Sequence, residues 1–189
     1  SFLITIFWLV GITNAFYWLD GFDGLASRVS SISFIGIGII SLNNNNNEIA
    51  ILSAILAGSC IGFLHQNSYP AKIFMGDGGS FLIGFSLASL SIMGISDYEK
   101  NIDLIPVTLI LLIPIVDMSI VIIRRLLQKK SPFFPDRSHL HYKLLDSGLT
   151  QNQISLIYFL SNLVLILIYI NFAKINFSYN LIIITLILN

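Results

Sequence analysis

Three polar clusters interrupt an otherwise apolar chain, and each carries residue types suited to handling phosphate. The first runs Asn14-Ala15-Phe16-Tyr17-Trp18-Leu19-Asp20-Gly21-Phe22-Asp23-Gly24-Leu25-Ala26. Its carboxylates, Asp20 and Asp23, each precede a glycine, which permits tight turns and close approach of a ligand. An acid beside apolar sequence asks for a partner such as a metal, a base edge or a cation. An ordinary polar turn that ends a helix accounts for the same residues equally well. The second cluster is Asn67-Ser68-Tyr69-Pro70-Ala71-Lys72-Ile73-Phe74-Met75-Gly76-Asp77-Gly78-Gly79-Ser80. A Gly-rich turn leading into a helix N-terminus offers backbone N–H groups to an anionic phosphate. Asp77 could place Mg²⁺ there, since that ion takes one or two carboxylates plus substrate phosphates. Phe74 offers a stacking surface. Read alone, the cluster is better explained as a loop with Asp77 as a helix N-cap.

The third cluster extends from Arg124 to Tyr142 and includes Pro135-Asp136-Arg137-Ser138-His139-Leu140-His141. Cations and imidazoles beside one carboxylate suit a diphosphate, which arginine can grip with two parallel hydrogen bonds. Arg124, Arg125, Lys129 and Lys130 read better as a juxtamembrane basic stretch facing anionic lipid. A zinc site on His139 and His141 is discounted, because no cysteine or third histidine lies nearby in the sequence. Asp117 stands alone in an apolar run. It is either a functional acid or an anchor that pairs with a basic residue or caps a neighbouring helix.

The elements that position these clusters follow from composition. Of 189 residues, 55% are hydrophobic and 11% charged, against about 25% charged in a soluble domain. Mean hydropathy is +0.83. Such a chain cannot clothe a soluble globule in polar surface, and the lipid bilayer is its expected solvent. Six stretches approach the roughly 20 apolar residues that a spanning helix needs: 2–19, 25–42, 48–64, 80–96, 104–123 and 154–173. A seventh, 179–188, is too short to span unaided. None alternates in polarity as a barrel strand would. The expected fold is therefore all-α, a polytopic transmembrane helix bundle of about six to seven spans forming a single domain over 1–189. A basic and histidine-bearing loop at 124–153 lies on its cytoplasmic side. Cys60, the lone cysteine, cannot form an internal disulfide and reads as a buried small hydrophobe.

Charge placement orients the bundle. Ten residues are Lys or Arg. If the first span ends on the cytoplasmic side, segments 20–28, 65–79 and 124–153 face the cytoplasm. They hold Arg28, Lys72, Arg124, Arg125, Lys129, Lys130, Arg137 and Lys143, leaving Lys100 and Lys174 outside. That arrangement satisfies the positive-inside rule, and the inverse violates it. All three clusters then share one face, where they can meet over soluble substrates. The even charge balance offers no basic surface for nucleic acid.

Together the clusters resemble the polyprenyl-phosphate N-acetylhexosamine-1-phosphate transferase family. That family's motifs read Asn-x-x-Asn-x-x-Asp-Gly-x-Asp-Gly-Leu-Ala, Phe-Met-Gly-Asp-x-Gly-Ser and Pro-Asp-Arg-x-His-Leu-His-His. Here they stand as Asn14 to Ala26, Phe74 to Ser80 and Pro135 to His141. The resemblance implies Mg²⁺-dependent transfer of N-acetylhexosamine-1-phosphate from a UDP-N-acetylhexosamine to undecaprenyl phosphate, releasing UMP, with Mn²⁺ as a substitute ion. It implies Asp77 as metal ligand and Asp20, Asp23, Asp77, His139 and His141 as catalytic residues. Asn14, Asn67, Phe74 and Arg137 would bind substrate, with Phe74 against uracil. The closest branch begins surface polysaccharides with N-acetylglucosamine-1-phosphate in the bacterial inner membrane, its site facing the cytoplasm.

Three departures qualify the resemblance. Tyr17 replaces the second Asn of the first motif, and Tyr142 replaces the last His of the third. The family's adjacent Asp-Asp pair is absent, and the chain opens inside an apolar run without a basic leader. These features read as an N-terminal truncation, with the expectation that this chain alone is inactive. Two other readings stand beside the enzyme: a transporter or channel with intramembrane acids, and an inactive truncated homologue. The transporter predicts broken helices around Asp117. A homodimer is among the assemblies the sequence permits.

Overall fold

The computed structural model describes residues 2–95, 104–131 and 139–187, without the side chains of 95 and 172–187. The described residues form eight helices and no strand. Helices α1 (Phe2–Leu19), α2 (Leu25–Asn43), α3 (Asn47–Asn67) and α4 (Gly76–Ile95) follow one another as long apolar rods. Then come α5 (Ile105–Ile110), α6 (Leu112–Leu127), the short α7 (Leu140–Asp146) and α8 (Gln151–Ile187). Helices α1, α2, α3 and the Gln151–Asn171 part of α8 are long and apolar enough to cross a membrane. The protein is an all-α membrane bundle, as expected.

Two differences from the expected spans have physical causes. The stretch 104–123 is divided at Leu111 into α5 and α6. Pro114 has no N–H to return to the carbonyl of Ile110, so the ladder fails there. At the other end of the chain, α8 runs through 174–178, the residues that part the apolar stretches 154–173 and 179–188. Nothing in those residues removes a backbone donor, and the helix continues.

Helix α2 is the centre of the bundle. Thirteen of its residues are buried, five of them serines. Small side chains let neighbouring backbones come close where lipid supplies no hydrophobic drive. Polar ties cross these contacts: Asn162 Nδ2 donates to Ser33 Oγ at 2.8 Å, joining α8 to α2. Trp8 Nε1 donates to Ser91 Oγ at 2.9 Å, joining α1 to α4. Bonds of this kind contribute about 0.6 kcal/mol on average in membrane proteins. Helices α1 and α4 approach so closely that a Cβ on Gly84 would lie 2.8 Å from Thr13 Cα. Cys60 is buried, as expected, and receives a hydrogen bond from Ser30 Oγ at 3.4 Å.

The bundle's two ends are closed differently. At one end Asn44 Nδ2 donates to the Gly94 carbonyl and Asn46 Nδ2 to that of Met93. These bonds tie the short α2–α3 connection, the Asn-rich loop, to the end of α4. At the other end lie the α1–α2 turn, the α3–α4 loop, α7 and the start of α8.

Candidate active site

The second end gathers residues from all three clusters. Between α1 and α2 the chain turns through 20–24, and Asp23 Oδ2 accepts the amide of Ala71 at 2.9 Å. The Asp23 amide donates in turn to Gln151 Oε1 at 3.4 Å, at the head of α8. Beneath the turn, Asn67 Oδ1 accepts from the Gly24 amide at 3.2 Å and from Ser27 Oγ at 2.6 Å. Its Nδ2 donates to the Ile73 carbonyl at 3.0 Å. Arg28 extends the network, with Nη1 and Nη2 donating to the carbonyl and side chain of Asn152. Backbone and side-chain hydrogen bonds thus cross-link the three segments into one unit.

Burial separates the residues that face outward from those that hold the frame. Asp77 is exposed in the first turn of α4, where the helix dipole favours negative charge. It enters the helix rather than capping it. Phe74 is 74% exposed and free to stack on a planar ligand. Asp20 is partly buried, and its carboxyl is pushed up to about 6, first by burial and then by the charge of Asp77. Two carboxylates that repel across a shared space form a site that a cation would relieve. Asn67 is 3% exposed, and its amide is committed to Gly24, Ser27 and Ile73. Expected at substrate, it is placed here as a tie beneath the turn. Asn14 is half-buried one turn and a half before Asp20, donating to the Val10 carbonyl at 2.8 Å. Arg137 lies outside the described residues.

The histidines sit against this turn. His141 is fully buried and its Nε2 would lie 3.2 Å from a Cβ on Gly21. The Tyr142 hydroxyl would lie 3.4 Å from the same point. Phe22 meets the His141 ring edge-on at 4.9 Å, and Trp18 meets His139 at 5.7 Å. His139 and His141 stack on each other at 5.2 Å. Tyr17, where the resembled family carries Asn, stacks flat on Phe81 at 4.6 Å and packs α1 against α4.

Asp117 reaches the same cluster from α6. Its Oδ1 accepts the Leu140 amide at 2.7 Å, capping α7, and its Oδ2 lies 3.0 Å from His139 Nδ1. The anchor role is the one seen: the acid pairs with a basic residue and caps a helix. A helix break does lie near Asp117, as a transporter would have it, but Pro114 explains that break and both oxygens of the acid are engaged. Ligand atoms of Asp117, His139 and His141 lie within 4.8 Å of one another, close enough to hold a metal ion. The third donor comes from 22 residues upstream of His139, which is why no spacing rule revealed it. Among the described residues, Asp77 belongs to no such three-ligand group.

Comparison with known proteins follows the same lines. The sequence model of glycosyl transferase family 4 matches residues 1–95. A probable undecaprenyl-phosphate N-acetylglucosaminyl 1-phosphate transferase of Bacillus subtilis is 39% identical over 160 residues, covering 85% of this chain and 45% of that protein. A decaprenyl-phosphate N-acetylglucosaminephosphotransferase of Mycobacterium leprae is 35% identical over 179 residues, covering 85% and 45%. An undecaprenyl-phosphate alpha-N-acetylglucosaminyl 1-phosphate transferase of Escherichia coli K12 is 32% identical over 157 residues, covering 81% and 43%. The chain thus spans less than half the length of these relatives.

Proposed function

Because this chain belongs to glycosyl transferase family 4, we propose that it forms part of an enzyme that moves N-acetylhexosamine-1-phosphate from a UDP-sugar to undecaprenyl phosphate, with release of UMP. N-acetylglucosamine is the sugar favoured, by analogy with the names of the relatives. In this reaction an oxygen of the acceptor phosphate attacks the β-phosphorus of the donor. The bond from that phosphorus to the oxygen shared with the α-phosphorus breaks, and UMP departs with the electron pair. Such chemistry requires positioning and charge neutralisation rather than a covalent helper.

One observation carries the proposal. The three polar segments are tied together at a single end of a membrane bundle, with Asp77 and Phe74 exposed there. A soluble donor can reach that end while the acceptor's tail stays in lipid. Phe74 would stack on the uracil. His139 and His141 would support the diphosphate end from behind the Gly21 turn, and Arg137 and Asn14 would bind substrate nearby. Asp23 and Asn67 would act by holding the loops in place.

Asp20 and Asp77 suit Mg²⁺, being hard oxygen donors, and the Asp20 carboxyl is raised first by burial and then by the charge of Asp77. Bound there, the ion would neutralise part of the charge on the diphosphate. The basic residues Arg28, Lys72, Arg124, Arg125, Lys129, Lys130 and Lys143 belong to the segments at this end, which supports a cytoplasm-facing site in the bacterial inner membrane.

The test is UMP release by the natural protein in membrane vesicles, supplied with undecaprenyl phosphate and a panel of UDP-sugars. Release that requires Mg²⁺ and falls at least about 100-fold in Asp77→Asn is expected. Full turnover by Asp77→Asn would remove the metal assignment, and no release with any UDP-sugar would remove the transfer reading.

A further inference from the structure

Asp117 lies outside every motif that the resemblance is built on, yet it touches the site at three atoms. Its Oδ1 takes the Leu140 amide at 2.7 Å, and its Oδ2 sits 3.0 Å from His139 Nδ1 and 3.6 Å from His141 Nδ1. All three side chains are buried, with Asp117 at 4% and His141 at 0% exposure. A carboxylate accepts hydrogen bonds and donates none when ionised, so the nitrogen facing it must carry the proton. That choice leaves Nε2 as the nitrogen with a free lone pair. On His141 this is the atom pressed against Gly21, next to Asp20. His141 Nδ1, at 3.6 Å, feels the Asp117 carboxylate as a charge rather than as a hydrogen-bond acceptor, and among the described residues neither His141 nitrogen has a hydrogen-bond partner.

Accordingly, and resting on the transfer reading above, we propose that Asp117 is a positioning residue of the reaction. It fixes the Nδ1–H tautomer of His139 by a hydrogen bond, favours the same tautomer in His141 by its charge, and so holds His141 Nε2 behind the Gly21 turn that carries Asp20. The same carboxylate caps α7, so the segment that carries the histidines is seated and the imidazoles are oriented by one group. A carboxylate behind an imidazole elsewhere sets tautomer and ring angle without touching substrate, and its loss costs about 10–100-fold or more in activity. The substitution most informative here is Asp117→Asn. Its Oδ1 still accepts the Leu140 amide and keeps the cap, while its amide group can no longer accept a proton from Nδ1.

The experiment is steady-state UMP release by the natural protein in membrane vesicles, with UDP-N-acetylglucosamine and undecaprenyl phosphate. Asp117→Asn is expected to lower kcat by about 100-fold while KM for the UDP-sugar stays within about twofold. Asp117→Glu, which restores a carboxylate, is expected to recover at least tenfold of that loss. In a His139→Ala, His141→Ala background, Asp117→Asn should cost nothing more, since its effect passes through the rings. A further fall in that background, or wild-type kcat in the single variant, overturns the proposal. So does stoichiometric zinc in the purified protein that Asp117→Asn releases, because the trio would then be a metal site. Nitrogen-15 shifts of the histidine rings report the tautomer independently of turnover. If the unsubstituted protein releases no UMP, the role in transfer falls with the reading, and the shifts still decide whether Asp117 sets the tautomer.

Discussion

At the scale of single residues, Gly21 is defined by what stands over it. A methyl group there would meet His141 Nε2 at 3.2 Å, so Gly21→Ala must displace the imidazole or the turn. Turnover is expected to fall about 100-fold with little change in thermal midpoint, measured as UMP release beside a melting curve in detergent. Asp20 gives a second test. Its carboxyl lies at about 6 rather than 3.8, so the folded state favours its protonated form. That contribution is complete below pH 3.8 and is lost as the pH rises through about 6. In chelator-treated protein the thermal midpoint should therefore drop between pH 4 and pH 7, and Asp20→Asn should flatten the slope. Added Mg²⁺ should restore stability at neutral pH. A slope unchanged in Asp20→Asn would place its origin elsewhere. The residues that announce themselves in the sequence are those whose neighbours are local: Asp20 with Gly21, Asp77 with its glycines, His139 with His141. The committed amide of Asn67 was not legible as framework, because its partner Gly24 is 43 residues away, and for Asp117 the anchor role stood as one of two readings while its partners, His139 and Leu140, 22 and 23 residues on, did not show.

At the scale of elements, the α1–α4 contact is set by a missing side chain. Gly84→Ala would drive a Cβ to 2.8 Å from Thr13 Cα and 2.9 Å from its carbonyl oxygen, both backbone atoms. Neither can rotate away, so the helices must separate. A loss of about 1–3 kcal/mol is expected, read as a lower thermal midpoint in detergent. The Trp8–Ser91 bond and the Tyr17–Phe81 stack bridge the same pair of helices and should weaken with it. A midpoint equal to that of the unsubstituted protein would show that the contact is looser than described. Helices α1 and α2 were legible almost to the residue, since a bilayer imposes length and apolarity on each rod, whereas α3 runs on to Asn67 and α4 begins at Gly76, extending into polar residues that the apolar stretches left out. The division at Leu111 was harder to see, because both flanking halves are apolar and only Pro114 marks the missing bond. Helix α7 was not legible at all. Seven residues are too few to show a period, and its start is set by a carboxylate from another helix.

For the whole molecule, the decisive property is sidedness. Asn45 lies exposed at the end tied by Asn44 and Asn46, and Ser147 lies exposed at the end that holds the candidate site. Cys60, the one cysteine of these 189 residues, is buried. Single-cysteine variants Asn45→Cys and Ser147→Cys in intact cells should separate cleanly: a membrane-impermeant maleimide should label the first and reach the second only after permeabilisation. Labelling of Ser147→Cys in intact cells would invert the orientation. Under the proposed transfer, the cross-ties at the site end also bear on attempts to change the sugar donor. Asp23 grips the α3–α4 loop through Ala71 and the head of α8 through Gln151, while Asn67 grips Gly24. A chimera that imports one loop from a relative would bring a strand of a knot without its other ends. Only exchanging all three segments together would preserve the fastening, so donor preference should be transplantable as a set and resistant to piecemeal grafting.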